Sequence, residues 1–203
     1  MMDLHDSLIL VHGKKSSGKD EFAKVVVEVL NDCHVDIYHF ADPLKSDLAR
    51  RFPMLSVRNL YGTPEEKEAI IPEIGMSARQ LMQRYGTDWM SSVWTPVWAN
   101  AAVEHVRMVG RFFDGARKPL TVIPDLRRVI EVEHLAQFNP TMVKVVRPGL
   151  ESTDAHSSEH ELDDMKFEHV IVNDGSLSEF KDKVRAWLTE WLHGCQLGEE
   201  VRR

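Results

Sequence analysis

The chain has 203 residues, 43% hydrophobic and 28% charged, the balance of one globular domain with a sizeable core. A net charge of -7 and a pI near 5.8 exclude a general nucleic-acid binder, which needs a basic face to neutralise phosphates. Cys33 and Cys195 follow no metal-ligand spacing and read as free thiols, and no apolar run approaches membrane-spanning length, so a cytoplasmic chain without a membrane partner is expected.

The first apolar run, Leu8 to Val11, reads as a strand and meets Gly13-Lys14-Lys15-Ser16-Ser17-Gly18-Lys19. That is the G-x-x-x-x-G-K spacing of a phosphate-binding loop. Glycines let the backbone approach a polyphosphate, loop N–H groups point inward, and the following helix N-terminus favours negative charge. Phe22, Val25, Val26, Val29 and Leu30 share one face of that helix. Asp20 stands where the motif carries Ser or Thr as a magnesium ligand. It fits either a metal ligand, directly or through water, or a first-turn acid that complements the helix dipole.

Further along, residues 36–41 predict a second strand stopped at Asp42-Pro43. An insert over about 44–118 reads as helical. In it, 76–86 has a Ser77 cap and a Gly86 stop, followed by Trp89, Trp94, Trp98 and a helical pattern over 99–109. Residues 120–124 predict a third strand whose ladder ends at Pro124. Residues 142–146 predict a fourth closed by Pro148, and 169–172 a fifth closed by Asn173-Asp174-Gly175. Ser176 and Glu179 form a capping box ahead of a last helix with Leu177, Phe180, Val184, Trp187, Leu188 and Trp191 on one face. Continuous Val/Ile/Leu strands alternating with helices indicate a doubly wound α/β fold with a five-stranded parallel sheet, its ligand at the carboxyl ends of the strands.

Phosphoryl transfer needs positive charge, a metal and a site that aligns the acceptor. Asp125, at the carboxyl end of the third strand, is placed to take a metal or the acceptor. Arg127 and Arg128 follow it, and Arg147 lies past the fourth strand as a phosphate clamp. The acidic stretch 151–160 contains His156 and His160 four apart, but nothing completes a zinc set. It reads as a mobile cover, within a lid-like loop over about 149–166, or as a solvated loop. Trp98 is the tryptophan best suited to stack on a base, although aromatics at helical spacing more often belong to a core.

Several segments resemble bacteriophage deoxynucleoside monophosphate kinases: Ser17-Gly18-Lys19-Asp20, Phe40-Ala41-Asp42-Pro43-Leu44-Lys45, Arg79 through Asp88, Pro124-Asp125-Leu126-Arg127 with Glu131, and Asn173 through Leu177. They occur in the family's order. The resemblance implies a three-layer P-loop kinase fold over residues 1–203 with a helical acceptor-binding insert. It implies transfer of the γ-phosphoryl group of ATP, with Mg²⁺, to a deoxynucleoside 5′-monophosphate. Lys19 would hold donor phosphates within a loop of Gly13, Ser16, Ser17, Gly18, Asp20 and Glu21, with Asn173 near the adenine. Lys45, Arg79, Gln83, Gly86, Thr87 and Trp98 would line the acceptor pocket. Asp125, Arg127 and Glu131 would cluster near metal and acceptor, with Asp20 and Asp125 as metal ligands. A homodimer rests on the resemblance alone. The chain departs from the family at Glu21, at Gln80 and in Leu126-Arg127-Arg128. A second acid beside a triphosphate must be turned away, metal-bound or protonated. Residues 170–177 also resemble dephospho-coenzyme A kinase, and a P-loop regulator that binds ATP without turnover is the reading from a different class.

Overall fold

The computed structural model describes residues 8–31, 34–112, 119–150 and 161–200, without the side chains of Thr87 and residues 195–200. The expected cover over 151–160, with His156 and His160, lies outside the described residues, as does Cys33. In chain order come β1 (Leu8–His12), α1 (Lys19–Val29), β2 (Val35–Ile37), α2 (Ala41–Arg51), α3 (Val57–Tyr61) and α4 (Pro64–Glu68). The short strands β3 (Ile70–Ile71) and β4 (Met76–Ser77) lead into α5 (Ala78–Met82), a π-helix (Gln83–Met90), α6 (Ser91–Val93) and α7 (Val97–Phe112). Then follow β5 (Leu120–Leu126), α8 (Val129–Leu135), a 3₁₀ turn (Ala136–Phe138), β6 (Thr141–Val146), β7 (His169–Val172) and α9 (Leu177–Glu200). The chain forms two compact units, Met1–His39 with Ala102–Arg203, and Phe40–Ala101.

In the first unit five strands run in the order β2-β5-β1-β6-β7, and every pairing is parallel. Ile9, Val11, Val122, Val143, Val145 and Ile171 share one core with Phe22, Val25 and Val26 of α1 and Phe180, Val184 and Leu188 of α9. The alternate residues Leu8, Leu10 and Ile123 are fully buried too, so both sheet faces are covered, as a parallel sheet requires. Central β1 lies where the strand order reverses, the position at which an open α/β sheet leaves a crevice beyond its carboxyl edge.

Three expectations change. The second strand is Val35–Ile37, because Ala41, Asp42 and Pro43 open α2, whose first turn tolerates proline. Pro124 does not end the third strand. Leu10 pairs with Ile123 and His12 with Leu126, so β5 carries one extra residue around Pro124 and Asp125, a bulge that absorbs the missing N–H and carries the strand to Leu126. Gly86 does not stop a helix either. It lies inside the π-helix, and its carbonyl accepts from Ser91 Oγ (2.9 Å) and Trp98 Nε1 (3.2 Å).

The caps read from sequence form as expected. Ser77 Oγ accepts from Gln80 N at 3.2 Å and Ser176 Oγ from Glu179 N at 3.3 Å, each with the reciprocal side-chain bond. On α9, Phe180, Val184, Leu188 and Trp191 are buried, whereas Leu177 is exposed. The second unit is held by Leu48, Leu60 and Leu81, packed by Leu44, Phe52, Met82 and Tyr85.

Candidate active site

The loop after β1 has the backbone of a phosphate cradle. Ser16 adopts φ 63° and Gly18 φ 113°, and Ser17 N donates to Lys14 O at 3.1 Å. Turns of this kind point successive N–H groups into one concavity. Gly13 is needed for close approach: a Cβ there would lie 2.4 Å from Val145 O. Gly18 is needed twice over, for its left-handed φ and because a Cβ would meet Asn173 Nδ2 at 2.9 Å. Lys19 is buried, and its Nζ donates to Lys14 O at 2.8 Å, so the ammonium lies within the loop. Asn173, expected near an adenine, donates its amide to Ser17 O at 2.8 Å and braces the loop from the end of β7.

Beside the loop lies a cavity of about 370 Å³, walled by His12, Gly13, Lys14, Ser17, Asp163, the end of β6 from Lys144 to Val146, and Arg147 just past it. Ser17 is buried, and its hydroxyl has no hydrogen-bond partner among the described residues. A buried hydroxyl left unpaired is costly, and a ligand oxygen would satisfy it. Arg147 lines the same wall and reaches Ser16 O at 3.5 Å. His12 is 4% exposed, stacks on Phe167 with ring centroids 5.2 Å apart, and has its Nδ1 3.0 Å from Leu126 O. A carbonyl only accepts, so Nδ1 carries the proton. Burial, helped by Lys144 and Lys19, lowers the imidazole pKa and keeps the ring neutral.

The two acids after Lys19 separate. Asp20 is largely exposed and lies 3.8 Å from His39 Nε2, and this contact is the main cause of its lowered pKa. It stays a carboxylate available to a cation. Glu21 is engaged by Lys181 of α9 at 2.9 Å and by Lys24 at 3.5 Å, which lower its pKa, Lys181 foremost. The structure holds this second acid in ion pairs along the α1–α9 face.

At the β5 edge, Asp125 is half-buried at the bulge and Arg127 is exposed. Glu131 is 7% exposed, and its Oε2 accepts from Arg127 N at 2.8 Å and Arg128 N at 3.0 Å. Burial, aided by Asp125, pushes its carboxyl up to about 7, against the two backbone bonds. Its geometry is that of a group holding the β5–α8 turn. Among the described residues no three acidic, His or Cys side chains gather as a metal cage. Mg²⁺ carried with a nucleotide needs only one or two carboxylates beside the phosphates, and carboxylates such as Asp20 and Asp125 are the hard oxygen donors that it takes.

The remaining candidates belong to the second unit. Lys45 lies 3.6 Å from Asp42 Oδ1, with its ammonium 4.4 Å from the Tyr61 ring centroid. Arg79 lies 3.9 Å from Glu68 and is partly exposed. Gln83 is exposed on the π-helix, Gly86 is buried in it, and only the backbone of Thr87 is described. Trp98 spends its N–H on Gly86 O. Tyr85, not expected as a contributor, donates to Asp47, which also takes Arg51 at 3.3 Å.

Comparison with known proteins decides the family. The profile described as deoxynucleotide monophosphate kinase matches residues 59–184. The chain belongs to the deoxynucleotide monophosphate kinase family. It is accordingly a kinase, a phosphoryl-transferring and nucleotide-binding enzyme. It is 31% identical to a putative deoxynucleotide monophosphate kinase of Acanthamoeba polyphaga mimivirus, over 87% of this chain and 93% of that protein. It is 36% identical to the deoxynucleotide monophosphate kinase of Escherichia phage RB69, over 53% of this chain but 43% of the phage protein. The match thus spans under half of the phage relative. A solved structure of dephospho-CoA kinase from Campylobacter jejuni is similar over 92% of this chain and 97% of its own, with 13% identity and a TM-score of 0.49. That likeness is too slight to argue from.

Two cavity residues escaped the motif reading of this kinase, His12 and Lys144. They pair across neighbouring parallel strands and so share one sheet face. The signal was present in Val143-Lys144-Val145-Val146, a charged residue inside an otherwise apolar strand.

Proposed function

We propose that this kinase transfers the γ-phosphoryl group of ATP to a deoxynucleoside 5′-monophosphate, giving a deoxynucleoside diphosphate and ADP. The observation that carries the reading is the loop from Gly13 to Lys19, with a left-handed Ser16 and Gly18, a buried lysine and an unpaired Ser17 hydroxyl. It lies in a chain that belongs to a family of nucleotide kinases. Loop N–H groups and Lys19 Nζ would take the donor phosphates, with Lys19 exchanging the Lys14 carbonyl for phosphate oxygen. The terminal phosphoryl group gathers charge in the transition state, so pre-arranged donors in a confined site lower the barrier. Mg²⁺, when bound with the nucleotide, would neutralise phosphate charge, with Asp20 and Asp125 supplying carboxylate oxygens.

The acceptor nucleotide would be taken by Arg79, Lys45, Gln83 and the π-helix around Gly86 and Thr87, with Trp98 as an aromatic wall. Arg127 would add charge toward the acceptor phosphate, and Arg147 toward the donor. Glu131 would act by position, because its carboxyl holds the backbone N–H groups of Arg127 and Arg128. No covalent intermediate is needed, since holding the two phosphates in line supplies most of the advantage.

An ADP-release assay with ATP and Mg²⁺ against each deoxynucleoside monophosphate, ribonucleoside monophosphates and dephospho-coenzyme A tests the assignment. Turnover with deoxynucleotides is expected. Turnover with dephospho-coenzyme A alone would overturn it.

A further inference from the structure

Lys144 is a cation on the cavity wall that no motif marks. It lies mid-strand on β6, directly across from His12, so both side chains project from the same sheet face. Its ammonium lies 5.4 Å from the Phe167 ring centroid, and Nζ reaches the Asp163 backbone carbonyl at a long 3.4 Å. Among the described residues no carboxylate pairs with it. Lys14 and Arg147, on the same wall, likewise have no ion pair among the described residues. Neutral His12 adds no charge of its own, and among the described residues Asp163 is the acid in the lining. Ser17, whose buried hydroxyl has no hydrogen-bond partner among the described residues, lines the same cavity.

Three cations around a cavity with an unsatisfied hydroxyl are complementary to a polyanion, not to a neutral ligand. An ammonium that is half out of water gains most from charged oxygens it meets directly. The Phe167 ring lies beside the ammonium without neutralising it, so Lys144 stays available.

We infer that Lys144 is a donor-phosphate ligand of the nucleoside triphosphate, a specificity-determining contact additional to Lys19. The inference rests on the ATP-donor reading above and deepens it. Lys144 would contact the phosphate chain and leave the acceptor nucleotide untouched.

The test has two arms. In the wild-type protein, lysine acylation read by mass spectrometry should show ATP protecting Lys144, while exposed Lys24 keeps its labelling. In variants, a fluorescent ATP analogue should bind Lys144→Met about tenfold more weakly, the value of one charge-assisted hydrogen bond. Lys144→Arg should retain binding within about threefold of wild type, and neither variant should change the affinity for deoxynucleoside monophosphate. Wild-type ATP binding with no protection of Lys144 would overturn the inference, as would Lys144→Met binding the analogue as tightly as wild type. Were Lys144→Met not to fold, the labelling arm alone would decide. Failure of the wild-type protein to bind ATP at all would instead sink the donor reading, so the two failures are distinguishable.

Discussion

Lys19 is bonded to the carbonyl of Lys14 inside its own loop, so removing its side chain costs that internal hydrogen bond together with every contact to phosphate. Lys19→Ala is therefore expected to lower turnover by about 10²-fold or more while shifting Tm by only about 2–4 °C. Turnover within a few-fold of wild type would contradict the role given to the loop. Glu131 allows a test by pH. Its folded pKa of about 7 stands above the usual 4.5, so the folded state binds the extra proton. Its contribution to stability is full below about 4.5 and is lost as pH rises through about 7. The stability difference between wild type and Glu131→Gln should fall across that window, by up to on the order of 3 kcal/mol. A difference that rises with pH would refute the buried, proton-holding carboxyl. Glu131 was legible as a motif member and Glu21 as a departure from the motif, but neither as a partner. Glu21 meets Lys181 far along the chain, and no local pattern announces that pair.

Elements formed wherever the instruction is local. The capping box at Ser176 and the run His169–Val172 needed nothing beyond neighbouring residues, and both match the sequence reading. Ser176→Ala should lower stability by about 1 kcal/mol, measured by denaturant titration, and an unchanged midpoint would argue against the cap. Where an element depends on its partner, sequence misled. Pro124 reads as a strand end, yet the ladder to β1 absorbs it through a bulge and continues to Leu126. Gly86 reads as a stop, yet hydrogen bonds from Ser91 and Trp98 stabilise a π-helix through it. Lys144 belongs to the same class, because its place in the cavity follows from register with His12. At the loop, Gly13→Ala would force a Cβ to 2.4 Å from the Val145 carbonyl. Both Tm and ATP affinity should fall together, and an unaltered affinity would show that the cradle tolerates a displaced strand end.

At the scale of the molecule, the parallel order β2-β5-β1-β6-β7 sets the loop, Asp125, Arg147 and Asn173 along one carboxyl edge of a single sheet. Alternating apolar runs indicated that arrangement in advance, since strands buried on both faces leave few other architectures. Ligand binding should stabilise this unit: ATP at about 100 times its Kd adds about 2.7 kcal/mol, visible as a raised Tm. The central claim, however, concerns where the phosphoryl group goes. ATP labelled in its γ-phosphate, incubated with Mg²⁺, the protein and a deoxynucleoside monophosphate, should pass its label to the deoxynucleoside diphosphate. Label released only as inorganic phosphate, or retained in ATP that the protein demonstrably binds, would contradict the assignment.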